Sequence, residues 1–148
     1  MITLSSKDVD PTGSEMVARY EKAMTMKAEG KDAEVEKLLL PSVESPSIYH
    51  GHYRELFIVW RKEIRKASKA CDHQKVVQIL TRMLLLNTEM IMEMSRYWSL
   101  IHGVERTPEY FRSYSKVNKT DVAMLKKHAL RAGDNSALDA AENYHFIK

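Results

Sequence analysis

The sequence has little of what marks secreted, membrane or fibrous proteins. Its 148 residues include one cysteine, five glycines and four prolines, and apolar runs such as Phe57–Trp60 and Met83–Leu86 are short. A single cysteine cannot form an internal disulfide, and runs of this length cannot cross a membrane. The amino terminus also lacks the basic stretch and apolar block of a secretory signal. We therefore expect a cytoplasmic protein that does not enter a membrane.

The motifs of familiar enzymes and metal sites are also missing. The sequence has no glycine-rich phosphate loop, no paired cysteines and no Ser-His-Asp signature. His50 and His52 are two residues apart, so on a helix they do not face each other. Glu142 and His145 have the Glu-x-x-His spacing of di-iron bundles, but such sites need a second copy. We expect no catalytic residue, metal or cofactor. A helical-bundle enzyme with an unrecognised site stays open as a weaker alternative, supported by Cys71, Asp72, His73, Glu142 and His145.

Two long amphipathic patterns dominate what is present. The first extends from about Pro46 to Ala70, and the second extends from about His73 to His102. Each pattern has one apolar stripe at helical spacing. The stripes consist of Tyr49, Tyr53, Leu56, Trp60, Ile64 and Ala67, and of Val76, Leu80, Met83, Met90 or Ile91, Met94, Trp98 and Ile101. Two such helices joined by a tight turn must pack against each other and against the remaining helices.

The rest of the sequence predicts shorter helices and no strand. Met1–Val9 lacks periodicity and should form a flexible or extended arm, and Asp10-Pro11 is typical of a helix start. Pro41 should end, kink or restart the helix that contains it. Thr107-Pro108 should start an aromatic helix that reaches about residue 117. Asn87-Thr88 is a cap-type pair inside the second long pattern, but the stripe continues in phase, so we expect one continuous or slightly kinked helix.

Three turns share a pattern in which a helix ends in a small residue, an aspartate follows and an apolar helix begins. They lie at Gly30–Asp32, Cys71-Asp72 and Gly133-Asp134. This pattern resembles the inner turn of tetratricopeptide-repeat hairpins, and Trp60 and Ile64 match apolar positions of that family's first helix. The family's leucine-glycine pair is absent here, and the spacing departs from its repeat of about 34 residues.

The predicted fold class is therefore all-α, in one domain over residues 1–148. Two arrangements stay open. One is an antiparallel helical-hairpin bundle, and the other is a short tetratricopeptide-like array. In both, the fold has about six to seven helices, arranged around the two long central helices.

Aromatic side chains exceed what the two stripes can bury. Phe57 and Tyr97 lie beside the stripes, and aromatic residues recur after Pro108. Tyr, Trp and Arg in a groove are typical of interaction hot spots. We therefore predict a protein-interaction or adaptor module that binds a peptide or partner helix beside helices 46–70 and 73–102, with self-association as an open possibility. The predicted contacts are Phe57, Tyr97, Tyr110, Phe111, Arg112 and Tyr114.

Basic residues predict an alternative function. The formal net charge is +3, and the first long helix has five cations away from its apolar stripe. The negative end of a helix stabilises nearby cations by about 0.3–1 kcal/mol each, but five exceed what a helix end requires. The alternative is a small nucleic-acid-binding protein that contacts the phosphate backbone. Its contacts would be Arg61, Lys62, Arg65, Lys66 and Lys69, with a second cluster at Lys126, Lys127, His128 and Arg131.

Overall fold

Six α-helices and one 3₁₀ segment form the described part of the fold. A computed structural model describes residues 6–44 and 47–148. The elements are α1 (Ser6–Ala28), α2 (Asp32–Glu44), α3 (His50–Lys69), α4 (His73–His102), the 3₁₀ segment (Pro108–Tyr114), α5 (Lys119–Ala132) and α6 (Asn135–Glu142). No strand occurs in these two ranges, so the predicted all-α class is confirmed. No helix within them is both long enough and apolar enough to span a membrane.

The two central helices, α3 and α4, lie close to their predicted positions. Cys71 adopts a left-handed φ of 57° in the turn between them. α4 is continuous through Asn87, as predicted, and Gly103 closes it with a φ of 64°. α3 begins at His50, later than the predicted Pro46, which lies outside the described residues.

The helices pack in chain order, each against the next from α1 to α6, and we describe them as three hairpins, α1–α2, α3–α4 and α5–α6. α3 also lies beside α5, because Arg61 contacts Asp121 and Ser68, further along α3, contacts His128. These two contacts advance in the same direction along both helices, so α3 and α5 run parallel. α3 therefore reaches α5 through side chains while it packs against α2 and α4. α4 packs against α3, α5, the 3₁₀ segment, α2 and α6, and so forms the centre of the molecule.

One hydrophobic core extends through all three hairpins, and the two predicted stripes form most of its centre. The buried stripe residues are Tyr53, Leu56, Trp60, Ile64, Ala67, Val76, Leu80, Met83, Met90 and Ile91. Met94 and Trp98 are half-buried against this core. The prediction is wrong for Ile101, which is 59% exposed because α4 extends past the start of α3.

Two expectations for the first helices are corrected. Ser6–Val9 belongs to α1, so the arm prediction is wrong for these residues, and Met1–Ser5 lies outside the described residues. The start signal at Asp10-Pro11 lies inside α1. Pro41 lies inside α2, which continues to Glu44. The proline removes one helix hydrogen bond, but the two residues after it are buried, and tertiary packing stabilises the helix there.

A buried polar cluster around Asn87 holds the end of the chain. Asn87 is fully buried, and the two hydrogens of its amide nitrogen share three acceptors within hydrogen-bond distance: the Ser115 hydroxyl at 3.1 Å, the Tyr144 hydroxyl at 2.7 Å and the Phe146 carbonyl at 3.1 Å. Its carbonyl oxygen accepts a hydrogen bond from the Lys116 backbone at 2.7 Å. These bonds draw the chain out of helical geometry after the 3₁₀ segment, so the predicted aromatic helix is shorter and tighter than expected.

His52 should make the protein sensitive to acid. It is 4% exposed and lies against the rings of Tyr20 and Tyr49, and burial lowers its pKa from 6.5 to about 4. The folded state therefore binds a proton less readily than the unfolded chain. The stabilisation is complete above pH 6.5 and is lost as the pH falls towards 4. Between pH 7 and pH 5, we expect the unfolding free energy of the wild type to fall by roughly 1–2 kcal/mol more than that of His52→Gln.

Urea unfolding at the two pH values measures this difference. The control is His145→Gln, because the His145 side chain is 65% exposed. This control should keep the pH dependence of the wild type. If His52→Gln also kept that dependence, His52 would not be the acid-sensitive group.

Candidate interaction surfaces

The last turns of α4 extend beyond α3. α3 has 20 residues and α4 has 30, so α4 is about 15 Å longer. Tyr53, in the first turn of α3, faces Glu89 and Glu93, whose charges add to burial in raising its pKa to about 12. The start of α3 therefore lies opposite this part of α4. The turns of α4 after Glu93 have no α3 residue beside them.

The 3₁₀ segment covers one side of this extension through aromatic rings. The ring centroid of Trp98 lies 6.0 Å from that of Phe111 and 6.1 Å from that of Tyr110. The Ser95 hydroxyl donates a hydrogen bond to the backbone carbonyl of Arg106, and the Arg106 guanidinium lies 5.1 Å from the centre of the Tyr110 ring. The buried Phe111 ring anchors the segment on α4.

Exposed apolar side chains lie on the uncovered part of the extension and on the 3₁₀ segment beside it. Several of the exposed large hydrophobic side chains in the described residues lie here: Leu100 at 59%, Ile101 at 59%, Val104 at 49% and Tyr110 at 58% exposure. We call the surface formed by these four residues and the half-buried Trp98 the aromatic end. Exposed apolar side chains that gather at one end of a small protein mark interaction sites more often than scattered apolar residues do.

Two hydrogen-bond donors near the aromatic end have no acceptor among the residues that the structure describes. They are Nε1 of Trp98 and Nε of Arg106, and both atoms are buried. Each nitrogen can only donate, and a buried donor without an acceptor costs about 1–3 kcal/mol. A partner that repacks this region and supplies oxygen acceptors would remove that cost.

Phe57 and Phe111, which the sequence predicts as partner contacts, are core residues. Phe57 is fully buried and stacks on Trp60 with a centroid distance of 5.8 Å. Phe111 is 4% exposed. The expectation that these two rings are available to a partner is wrong, because neighbouring elements cover α3 on more than one side and the 3₁₀ segment turns Phe111 inward.

The other four predicted contacts have access to solvent, but they do not line a groove along α3 and α4. Tyr110, Arg112 and Tyr114 are exposed on the 3₁₀ segment, at one end of α4, and Tyr97 is half-buried on α4. Arg112 forms an ion pair with Glu109 at 2.7 Å. Their arrangement therefore favours a site at the end of α4 rather than along its length.

Leu100, Ile101 and Val104 are the residues of this surface that the sequence analysis does not predict. Their apolar character is plain, but Ile101 continues the α4 stripe, and a stripe residue is expected to be buried. One feature of the sequence does indicate their exposure. The second long pattern is longer than the first, so the first helix cannot cover the second helix over its whole length.

A second candidate surface lies where α3 and α5 meet, near the start of α4. The Arg61 guanidinium donates to both carboxylate oxygens of Asp121, at 3.0 and 2.7 Å, and to the Lys116 carbonyl at 2.6 Å. Asp121 is buried and also completes the capping box of α5 with Asn118. Arg61 and Asp121 thus fasten the two parallel helices at the beginning of their contact.

Two histidines fasten the other end of this contact. Nδ1 of His73 lies 2.8 Å from Nδ1 of His128, and Nε2 of His128 lies 3.4 Å from the Ser68 hydroxyl. One Nδ1 must donate and the other must accept, so the two imidazoles cannot both be protonated while this bond exists. Burial, then His73, then the cations Lys127 and Arg131 lower the pKa of His128, which favours its neutral form.

Four cations beside the contact between α3 and α5 have no ionic partner in the described part of the chain. They are Arg65 and Lys69 on α3 and Lys127 and Arg131 on α5, all exposed, and we call them the cationic face. The stretches 64–71 and 122–133 contain no acidic residue. The structure thus brings together two basic clusters that are about 60 residues apart in the sequence.

The five cations predicted to bind nucleic acid do not share one face. Arg61 binds Asp121, and Lys62 lies 3.3 Å from Asp32 on α2. Lys66 lies on the same side of α3 as Glu63. Burial raises the pKa of Glu63, and the positive charge of Lys66 acts against this rise. Only Arg65 and Lys69 remain next to α5 without a partner among the described residues.

The weak catalytic and metal candidates have local structural contacts. The Asp72 carboxylate accepts a hydrogen bond from the backbone of Lys75 and caps α4, and Cys71 is exposed in the turn before it. His145 lies 4.0 Å from Glu109. Within residues 6–44 and 47–148, no group of three or more histidine, cysteine, aspartate or glutamate side chains could hold a metal ion.

Comparisons of the chain with protein-family models, with curated proteins and with solved structures find no significant match.

Proposed function

We propose that this protein is a non-catalytic interaction module and that its aromatic end binds an apolar segment of another protein. The observation that supports the proposal is the uncovered extension of α4, where Leu100, Ile101 and Val104 are exposed beside a half-buried Trp98. A folded domain gains nothing from exposing these side chains. Burying them against a partner would be favourable by about 25 cal/mol per Å² of apolar surface.

The surroundings of the aromatic end indicate the chemistry of the segment. The neighbouring charges are largely paired, since Arg96 binds Glu93 and Arg112 binds Glu109. Net charge therefore contributes little to the choice of partner. The unpaired donors of Trp98 and Arg106 favour a segment that carries oxygen acceptors among its apolar side chains. A peptide or helix with two or three large apolar residues fits this description.

The arrangement of the hairpins is compatible with such a role. α3 and α5, the first helices of consecutive hairpins, lie side by side and parallel, as the helices of a short helical-hairpin array would. The resemblance to tetratricopeptide-repeat hairpins at Trp60 and Ile64 stays part of this proposal. Stacked hairpins form a rigid support, and the end of α4 extends beyond that support towards solvent.

Peptide selection tests this proposal. Displayed random peptides are selected on the wild-type protein, and the affinity of the best peptides is measured by calorimetry. Replacing Ile101 and Tyr110 together by serine should weaken binding by about 30-fold or more, because central apolar anchors dominate such interfaces. Leu130→Ser is the control. Leu130 is 66% exposed but lies on α5, so its replacement should leave the affinity unchanged.

Two outcomes would redirect or overturn the proposal. If sedimentation shows that the wild type is a dimer and that Ile101→Ser is a monomer, the bound segment belongs to a second copy of the chain. If the selected peptides bind the Ile101 and Tyr110 double variant as tightly as the wild type, the aromatic end is not the binding surface.

A further inference from the structure

We infer that the cationic face (Arg65, Lys69, Lys127 and Arg131) binds the phosphate backbone of double-helical nucleic acid. This inference does not depend on the aromatic end. The cationic face lies by the start of α4 and the aromatic end lies by its other end, about 40 Å away along a helix of 30 residues. Either surface can therefore be altered without the other.

The positions of the four cations are not explained by the stability of the fold. Arg65 and Lys69 are four residues apart on α3, and Lys127 and Arg131 are four residues apart on α5. Like charges at this spacing repel each other on a helix. Lys69 and Arg131 lie in the last turns of their helices, where the negative helix end favours cations, but Arg65 and Lys127 lie before those turns.

The acidic residues nearest in sequence do not neutralise these charges. Asp121 is held by Arg61, and Asp72 and Asp134 each cap a helix through a backbone N–H. Glu63 lies on the other side of α3, in electrostatic contact with Lys66 and Lys75. Among the described residues, the two like-charged pairs therefore face solvent without a counter-charge.

The geometry of the cationic face matches phosphates better than a small anion. Each pair of cations spans about 6 Å along its helix, and the side-chain contact between Ser68 and His128 links the two helices beside these pairs. The Arg61–Asp121 and Ser68–His128 contacts hold the two rows parallel and in register. Two fixed rows of cations can neutralise several phosphates at once, which releases counterions and favours binding.

The chemistry of the face favours a duplex over other polyanions. Single-stranded nucleic acid is held mainly by stacking on aromatic rings, and the exposed rings of Tyr110 and Tyr114 lie at the other end of α4. Firm membrane binding combines cations with several inserted apolar side chains, and Leu130 is the one large apolar side chain exposed on α5. An acidic protein segment would also need apolar contacts that this face does not offer.

Fluorescence anisotropy with a labelled 20-base-pair duplex, prepared as DNA and as RNA, tests the inference. For about four phosphate contacts, the plot of log affinity against log salt should have a slope of about −3 to −4. The affinity should then fall roughly 100-fold between 50 and 200 mM KCl. Tight, salt-dependent binding to either duplex supports the inference, and the ratio of the two affinities identifies which duplex is preferred.

Charge reversal locates the binding surface. Lys127→Glu with Arg131→Glu should weaken duplex binding at 50 mM KCl by at least about tenfold and reduce the salt slope by about two. Lys22→Glu with Lys37→Glu makes the same change in net charge on the exposed surface of the first hairpin and should change the affinity less than about threefold. Thermal unfolding checks that each variant is folded. Arg65→Gln with Lys69→Gln replaces the first variant if it unfolds and should also weaken binding.

Three results would overturn the inference. The first is equal loss of affinity in the variants of the cationic face and in the control. The second is tighter binding to polyglutamate or to phosphatidylserine vesicles than to the duplexes at the same salt concentration. The third is a failure of the wild type to bind either duplex at 50 mM KCl. None of these results would affect the peptide-binding experiment on the aromatic end.

Discussion

Trp60→Ala is expected to lower the free energy of unfolding by about 3–5 kcal/mol. Trp60 is 3% exposed, and its ring stacks on Phe57 at a centroid distance of 5.8 Å. Its Nε1 donates a hydrogen bond to the Glu36 carboxylate at 2.7 Å, and the Arg82 guanidinium lies 5.2 Å from the ring centre. The substitution therefore leaves a cavity between α2, α3 and α4 and removes the donor that Glu36 uses.

Urea unfolding followed by circular dichroism measures this loss, and Trp98→Ala is the matched control. Trp98 is half-buried and its Nε1 has no acceptor in the described part of the chain, so its removal should cost less than half as much. If Trp60→Ala unfolded at the wild-type urea concentration, Trp60 would not be a core residue, and the packing of α3 against its neighbours would be contradicted.

Asn87→Leu is expected to lower the free energy of unfolding by about 2–4 kcal/mol, although leucine suits a helix and a buried stripe. The side chain of Asn87 bonds to two hydroxyls, a carbonyl and a backbone N–H. Leucine would leave the buried Phe146 carbonyl and the Lys116 N–H with fewer partners. Because these groups belong to the last residues and to the connection before α5, the substitution should also loosen the carboxy-terminal segment.

Hydrogen exchange and limited proteolysis of the carboxy-terminal segment, together with urea unfolding, check this expectation. The control is Asn143→Ala, since Asn143 is exposed and its side chain makes one hydrogen bond to the Asp139 carbonyl at 2.9 Å. It should change stability by less than about 1 kcal/mol. An Asn87→Leu protein as stable as the wild type would show that the polar cluster does not hold the segment.

Local signals in the sequence predict the helices well. The stripe from Tyr53 to Ala67 has a regular period, so its face could be assigned before its partners were known. Gly103 and Gly133 end their helices because each adopts a positive φ, of 64° and 68°, that other residues rarely adopt. Both features depend on neighbouring residues alone, which a single sequence contains.

Contacts between distant residues could not be predicted in the same way. Nothing in the sequence indicates that Arg61 would bind Asp121, 60 residues further along, and so Arg61 is grouped with the surface cations. Asn87 is similarly read as a cap-type residue, although its buried position in the stripe serves a long-range cluster. Phe57 lies beside the stripe, but it is buried because α3 has neighbours on several sides.

The same limit applies to the candidate surfaces. The cationic face exists because α3 and α5 are parallel neighbours, which brings Arg65 and Lys69 next to Lys127 and Arg131. The aromatic end exists because α4 extends past α3, which exposes Ile101 although it continues a buried stripe. Each surface depends on tertiary packing, whereas the sequence shows only the residues that form it.

The proposed role of the aromatic end is tested most directly by the two tryptophan indoles in an NMR titration. Trp60 lies in the core with its Nε1 bonded to Glu36, and Trp98 lies at the aromatic end with its Nε1 unpaired among the described residues. When a selected apolar peptide is added to the ¹⁵N-labelled protein, we expect the Trp98 indole signal to shift and the Trp60 signal to stay. A shift of the Trp60 signal alone, or of neither signal at saturating peptide, would contradict the proposed site.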